Sequence, residues 1–150
     1  MRSLIGKGGM GAVYAAENLN SGRSAALKLI HGVDQTADQK RRFLREAKAA
    51  TAIDHPNVID VFDVFEDDDG SLVMVMEVLE GEPMDAHRKA RGALTLLEVA
   101  ELFSPVVAAL QVAHDKGIVH RDLKPENIFL ARGRDGEVIP KVLDFGIAKV

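Results

Sequence analysis

Hydrophobic and polar positions change their period about half-way along this chain. Residues 3–5 read as extended and run into a cluster of glycines, after which "AVYAAE" (12–17) resumes the pattern. Asn20, Ser21 and Gly22 supply turn chemistry, and "SAALKLI" (24–30) is a third strand. Three strands with short connections predict an antiparallel meander and not a βαβ unit. Over 37–53, Phe43, Leu44, Ala47 and Ala50 recur at helical spacing with Lys and Arg on the opposite face, which predicts a helix. His55-Pro56 closes it, because a residue before proline avoids the helical region. "NVIDVFDVFE" (57–66) alternates as a strand, "DDDG" turns, "SLVMVMEVL" (71–79) is an apolar strand, and "EGEP" breaks it.

The second half reads differently. Residues 96–117 predict one long helix, apolar almost all round and therefore buried on several sides. Pro105 lies inside it, and an interior proline costs ~3 kcal/mol, so a kink or local break is expected there. Gly117 is the expected stop. After it come the loop "HRDLKPEN" (120–127) and two short strands, "IFL" and "KVL", joined by the turn-rich "RGRDG". Sheet first and helix later predicts an α+β fold in two lobes.

Composition narrows this little. The chain has 150 residues, 47% of them hydrophobic and 28% charged, enough to bury a core. A net charge of −4 argues against a general nucleic-acid binder. With no cysteine, disulfides and thiolate metal sites are excluded, and a reducing cytoplasm fits. No apolar run approaches the ~20 residues of a membrane helix, and the N-terminus is too poor in apolar residues for a signal peptide.

Several features carry candidate chemistry. Gly6, Gly8 and Gly11 match G-x-G-x-x-G, but lie between two strands rather than opening a helix. A glycine-rich hairpin can offer backbone N–H groups to phosphates; it can also be merely a flexible hairpin. Lys28 shares a strand face with Ala26 and Ile30, and an inward ammonium needs anionic partners, whereas a solvated edge lysine needs none. Glu46 is a candidate carboxylate partner among several acids on a charged helix. Asp122, Lys124, Asn127 and Asp144 crowd a turn-rich stretch, and Asp144 sits between Leu143 and Phe145. Oxygen donors beside a lysine suit Mg²⁺ and a phosphate. "KRRFLR" reads as a solvated helix face, and "EDDDG" as a strand-joining turn without the spaced ligands of a calcium loop. His31, His55, His87 and His114 show no metal-ligand spacing.

Taken in order, "GKGGMGAVY", "AALK", Glu46 in "FLREAKAA", "HRDLKPEN" and "DFG" resemble the motif set of the eukaryotic-like protein kinase family, in its bacterial serine/threonine form. The resemblance implies a bilobal fold. Residues 1–79 would form the small lobe and hinge, with a five-stranded antiparallel sheet, helix C and an incomplete first strand. Residues 80–150 would begin a mainly helical large lobe. It also implies ATP and Mg²⁺ as ligands and protein Ser/Thr hydroxyls as acceptors. The loop of Ile5, Gly6, Gly8, Gly9 and Gly11, with backbone amides around Gly8, Gly9 and Met10, would cover the phosphates. Lys28 would hold the α- and β-phosphates, braced by Glu46. Asp122 would take or orient the acceptor proton, Lys124 would stabilise the transferred group, and Asn127 and Asp144 would hold Mg²⁺. Val13 and Ala26 would roof the adenine and Phe129, where an aliphatic residue is commoner, would floor it. Met76 would be the gatekeeper, and Glu77 and Leu79 would bound the hinge. His120 would be structural. The family continues past "DFG" into an activation segment and further helices. A chain ending at Val150 is therefore expected to transfer phosphate poorly, and its long apolar helix to lack partners. An ATP-binding pseudokinase or scaffold is the alternative, against which the presence of Lys28, Asp122, Asn127 and Asp144 argues. The setting implied is cytoplasmic, including the cytoplasmic part of a larger membrane-associated kinase.

Overall fold

A computed structural model describes residues 3–8, 11–30 and 37–145. The chain divides into two compact units, Met1–Thr51 with Asp60–Val78, and Ala52–Ile59 with Leu79–Lys149.

The first unit is a five-stranded antiparallel sheet and one helix. Its strands are β1 (Ser3–Gly8), β2 (Gly11–Glu17), β3 (Ser24–Ile30), β4 (Val61–Glu66) and β5 (Leu72–Met76), in the order β1-β2-β3-β5-β4. The β2–β3 connection is the turn expected. Asn18 Oδ1 accepts the N–H groups of Asn20 and Ser21, and Gly22 takes a positive φ of 69°. Helix α1 (Ala37–Ala50) packs on β4 and buries Ala47 and Ala50. It ends three residues earlier than its pattern predicts. Thr51 Oγ1 donates to the Lys48 carbonyl at 2.7 Å, so the hydroxyl caps a group that would otherwise face the next turn. Met74, Val64, Leu72 and Val73 form the centre of the sheet's core.

Strand β4 begins at Val61, not at Asn57. The four residues before Val61 face other demands: Val58 pairs in parallel with Val142, the Val142 N–H donates to the Asn57 carbonyl (2.8 Å), and the Ile59 N–H donates to the Val142 carbonyl (3.0 Å). Residues 52–59 thus pack with the second unit, although alternation alone joins 57–59 to β4.

The second unit holds β6 (Gly81–Pro83), α2 (Met84–Arg91), α3 (Leu96–Asp115), a 3-10 turn (Pro125–Asn127), β7 (Ile128–Arg132) and β8 (Val138–Val142). The three strands form an antiparallel sheet in the order β6-β7-β8. "EGEP" follows the end of β5 as expected, but its last three residues, Gly81–Pro83, form a strand of this second sheet. Gly81 has φ 143°, and a Cβ there would stand 2.0 Å from the Leu130 carbonyl oxygen, so glycine lets β6 lie against β7. Helix α2 is absent from the sequence reading. Only Met84 is buried, so it has no apolar stripe; the Lys89–Asp85 pair at 2.8 Å and basic residues in its last turn support it.

Helix α3 starts with a capping box between Thr95 and Glu98 and ends as expected, with Gly117 at φ 73°. Of the expected kink or local break, the break does not occur: the helix is continuous through Pro105, because the φ of proline suits a helix and the cost falls on the missing N–H. Only Val106, Ala109 and Ala113 are buried, while Leu96 is 86% and Leu97 67% exposed. The expected burial on several sides is therefore not seen; this helix lacks partners on most of its apolar surface. Among the described residues it is the one helix long and apolar enough to cross a membrane, by length and composition only. Glu98 and Glu101 interrupt the run of apolar letters without undoing that average, which is why the sequence reading finds no such run.

Candidate active site

The site residues fall in both units. In the first, β1 and β2 form the glycine hairpin, with Gly6 opposite Val13 and Gly8 opposite Gly11. The register shifts at Ile5, which is half exposed. The glycines answer to different causes. Gly11 has φ 146°, and a Cβ there would stand 1.9 Å from the Leu29 carbonyl oxygen, so β3 alone demands glycine. At Gly6 nothing lies within 4 Å of an added Cβ. The protein's own packing does not require glycine at Gly6, and that open space is where a bulky ligand could approach backbone. Gly9 and Met10 lie outside the described residues.

Lys28 sits in the middle of β3 between Val13 on β2 and Met74 on β5, and is buried (8% exposed). Strand pairing fixes its direction: in a regular strand, neighbours on either side leave it one face. Ala26, on the same face, is also buried and pairs with Met76. Glu46 lies on α1, half buried. Glu77 follows β5 and is held to Asp60 by two bonds. Its N–H donates to the Asp60 carbonyl and its Oε1 accepts the Asp60 N–H, each at 2.9 Å.

The second unit brings together the polar loop. Lys124 Nζ lies 2.8 Å from Asp122 Oδ2, and Asn127 Nδ2 donates to the Asp122 carbonyl (2.8 Å) and to Oδ2 (3.2 Å). The Lys124 ammonium, bonded to it, and then the Asn127 amide hold the Asp122 carboxyl below the usual carboxylate range. The same pair raises Lys124, to which the nearby Asp144 charge also contributes. Both groups are therefore ionised at neutral pH.

Asp144 is tied to this loop through its neighbour. The Leu143 N–H donates to the Asn127 carbonyl at 2.9 Å, and the Leu143 carbonyl accepts from His120 Nε2 at 2.7 Å. His120 is buried; its Nδ1 accepts the Asp122 N–H at 3.3 Å, so the ring is the neutral tautomer with its proton on Nε2. The Phe145 ring packs against it at 4.9 Å. Arg121 (φ 63°) and Asp144 (φ 56°) are the two non-glycine residues with positive φ among those described. Such backbone is costly and needs a surrounding network to hold it. Phe129 lies on β7 opposite Pro83 and Lys141, half buried, and Leu79 is half buried ahead of β6.

The donor set suits Mg²⁺. Bonding through Nδ2 leaves Asn127 Oδ1 as a ligand, and Asp144 adds a carboxylate; both are hard oxygen donors. No cluster of three or more His, Cys, Asp or Glu able to hold a metal occurs among the described residues.

Sequence reasoning missed Asn57. It is buried, and its Nδ2 donates to the Pro140 carbonyl on β8 at 2.8 Å, bracing the strand that leads to Asp144. Its signal was weak: an asparagine after "HP" reads as ordinary turn chemistry.

The first unit carries a glycine hairpin on a five-stranded sheet and a buried strand lysine; the second carries an Asp-Lys-Asn loop beside a second aspartate. These are the elements of a protein kinase fold. The family model for the protein kinase domain matches residues 1–150, and the chain belongs to this family. It is similar to the serine/threonine-protein kinase pkn3 of Myxococcus xanthus, 40% identical over 151 residues, covering 100% of this chain and 28% of that protein. It is also similar to the serine/threonine-protein kinase PrkC of Bacillus subtilis, 40% identical over 147 residues, covering 97% of this chain and 22% of that protein. Among solved structures it resembles the Mycobacterium tuberculosis PknI kinase domain, with a TM-score of 0.85 and 31% identity, covering 98% of this chain and 58% of that one. The chain thus spans 28% or less of the length of the curated relatives named, and just over half of the solved domain.

Proposed function

We propose that this chain is the nucleotide-binding and catalytic-loop part of a serine/threonine protein kinase that transfers the γ-phosphoryl group of ATP to protein Ser or Thr hydroxyls. The observation that carries the reading is the ionised Asp122–Lys124 pair, held by Asn127 and built on a backbone tied to the residue before Asp144.

In this reading Lys28 binds the α- and β-phosphates and Glu46 braces it. Hairpin backbone near Gly6 and Gly8 lies over the phosphates. Ala26, Val13, Met76 and Phe129 enclose the adenine, with residues 77–79 as the hinge. Asn127 Oδ1 and the Asp144 carboxylate hold Mg²⁺, which when bound offsets phosphate charge. Lys124 and Asn127 both bond Asp122 Oδ2, so Oδ1 is the oxygen that takes the acceptor proton. The acceptor oxygen forms a bond to the γ-phosphorus as the bond to the bridging β-oxygen breaks, and ADP leaves. Lys124, kept charged, offsets charge on the transferred group. Residues 1–79 serve as the small lobe and hinge and 80–150 as the start of the large lobe, with 52–59 packed on the latter. The domain works in the cytoplasm, where ATP is supplied.

The test is transfer of label from γ-³²P-ATP to a generic protein substrate by the complete gene product that carries this sequence, with Lys28→Met and Asp122→Asn controls. Label lost in both controls supports the reading. ATP binding without transfer points to a scaffold and overturns it.

A further inference from the structure

We propose that Lys40 is a positioning residue: its ammonium latches the N-terminal half of α1 to the acidic β4–β5 turn and so sets where Glu46 stands. This rests on the kinase reading only for the role given to Glu46; the latch itself stands on geometry within the first unit.

The Lys40 Nζ donates to Glu66 Oε1 at 2.7 Å and to the Gly70 carbonyl oxygen at 2.7 Å. These two acceptors lie at opposite ends of the turn that joins β4 to β5. The turn is rigid. The Asp67 N–H donates to the Ser71 carbonyl and the Gly70 N–H to the Asp67 carbonyl, both at 2.8 Å. Asp69 Oδ1 accepts the Ser71 N–H, also at 2.8 Å, and this bond holds its carboxyl below the usual range. Gly70 has φ 81°, and a Cβ there would stand 3.2 Å from Lys40 Nζ, so the glycine both makes the turn and leaves room for the ammonium. The run "EDDDG", a bare turn by its sequence, is therefore a receptor for one lysine on the helix.

The helix needs such a tie. Among its described side chains only Ala47 and Ala50 are buried, and alanine offers no bulk to interlock with a sheet. Lys40, Leu44 and Ala47 fall on one helical stripe, at spacings of four and three, facing the strand that α1 packs on. A double hydrogen bond at one end sets the position of the helix along the strand. Glu46 lies next to Ala47, less than two turns from Lys40, so movement at Lys40 moves Glu46. Lys40 is 24% and Glu66 42% exposed, so the latch is partly screened and weakens with salt.

The experiment has two arms on the complete gene product, comparing wild type, Lys40→Met, Glu66→Gln and Lys40→Arg. Hydrogen exchange reads the latch whether or not the protein transfers phosphate. Lys40→Met is expected to speed exchange over 37–50 about threefold to tenfold, with 24–30 unchanged and Lys40→Arg near wild type. Phosphate transfer then reads the positioning. Lys40→Met is expected to lower kcat with little change in the KM for ATP, and Glu66→Gln to lower it less, because the Gly70 carbonyl still accepts from Lys40; the salt dependence of kcat is expected to flatten in both. Unchanged exchange in Lys40→Met overturns the latch. Faster exchange with kcat and its salt dependence intact overturns the positioning role. A wild type that transfers no phosphate overturns the kinase reading and with it the role of Glu46, while the exchange arm still decides the latch.

Discussion

Lys28 and Asp122 are held in place by opposite means. Lys28 stands in the centre of a five-stranded sheet, where paired strands on both sides fix its direction and apolar neighbours bury it. Asp122 stands on a loop, where ladder bonds are absent. A buried neutral histidine, an asparagine side chain and a lysine do the holding, and two residues accept left-handed backbone. Register is a cheap and tolerant way to aim one side chain. A network aims several at once, but every member must be satisfied, and loss of one exposes the rest. Substitution at Lys28 should therefore cost function with little cost in structure, and substitution in the Asp122 network should cost both.

The largest effects fall on chemistry. Asp122→Asn is expected to cut phosphate transfer by about 10²–10⁴-fold, and Lys28→Met by at least ~10²-fold, read as incorporated label. The contrast lies in melting: Lys28→Met exchanges one long side chain for another within an unchanged strand ladder, so it is expected to shift the melting temperature less than Asp122→Asn does. A marked drop in melting with Lys28→Met would break the comparison.

Next come the two glycines of the hairpin. Gly11→Ala is expected to destabilise the first unit by about 2–4 kcal/mol in urea unfolding, since its Cβ meets the Leu29 carbonyl and its φ is positive. Gly6→Ala should leave stability within about 0.5 kcal/mol, yet weaken binding of a fluorescent ATP analogue. Equal destabilisation by both would mean that packing demands glycine at Gly6 as well, and unchanged binding of the analogue would mean that the open space there has no bearing on ligand.

Asn57→Leu tests the second unit's network at a distance from its reactive groups. It removes the donor to the buried Pro140 carbonyl and is expected to cost about 1–3 kcal/mol, seen as a melting shift of a few degrees.

The smallest effect is on titration. Asp122 is depressed chiefly by its bond to Lys124, so Lys124→Met should raise its pKa toward the ordinary range in carboxyl NMR. The sign follows from the depression. Asp122 contributes stability that is fully present above its unfolded pKa and is lost as pH falls through the lower folded value, so in the variant that contribution should be smaller and its loss complete at a higher pH.

Legibility along the chain followed the length and regularity of each pattern. Strands β2, β3 and β5, helix α1 and the Gly117 stop stand in the sequence because alternation, helical spacing and turn residues are local rules. Helix α2 was missed because one buried methionine makes no periodicity, and β6 because "EGEP" has the letters of a turn. Burial of α3 was misjudged because an apolar helix calls for partners that the described residues do not supply. The site residues were readable as an ordered motif set, but not the reason each one stands where it does.

Sequence alone pointed to the family and to the order of the longer elements, and it nominated the candidate reactive groups, since residue type and spacing are carried by the chain itself. Tertiary structure alone decided that residues 52–59 join the second unit, that Asn57 and His120 support the path to Asp144, and that Gly11 answers to a neighbouring strand. It also decided that an acidic turn receives Lys40. Those facts depend on atoms far apart in the chain meeting within hydrogen-bond distance, and no local pattern encodes which distant carbonyl or ammonium will be there.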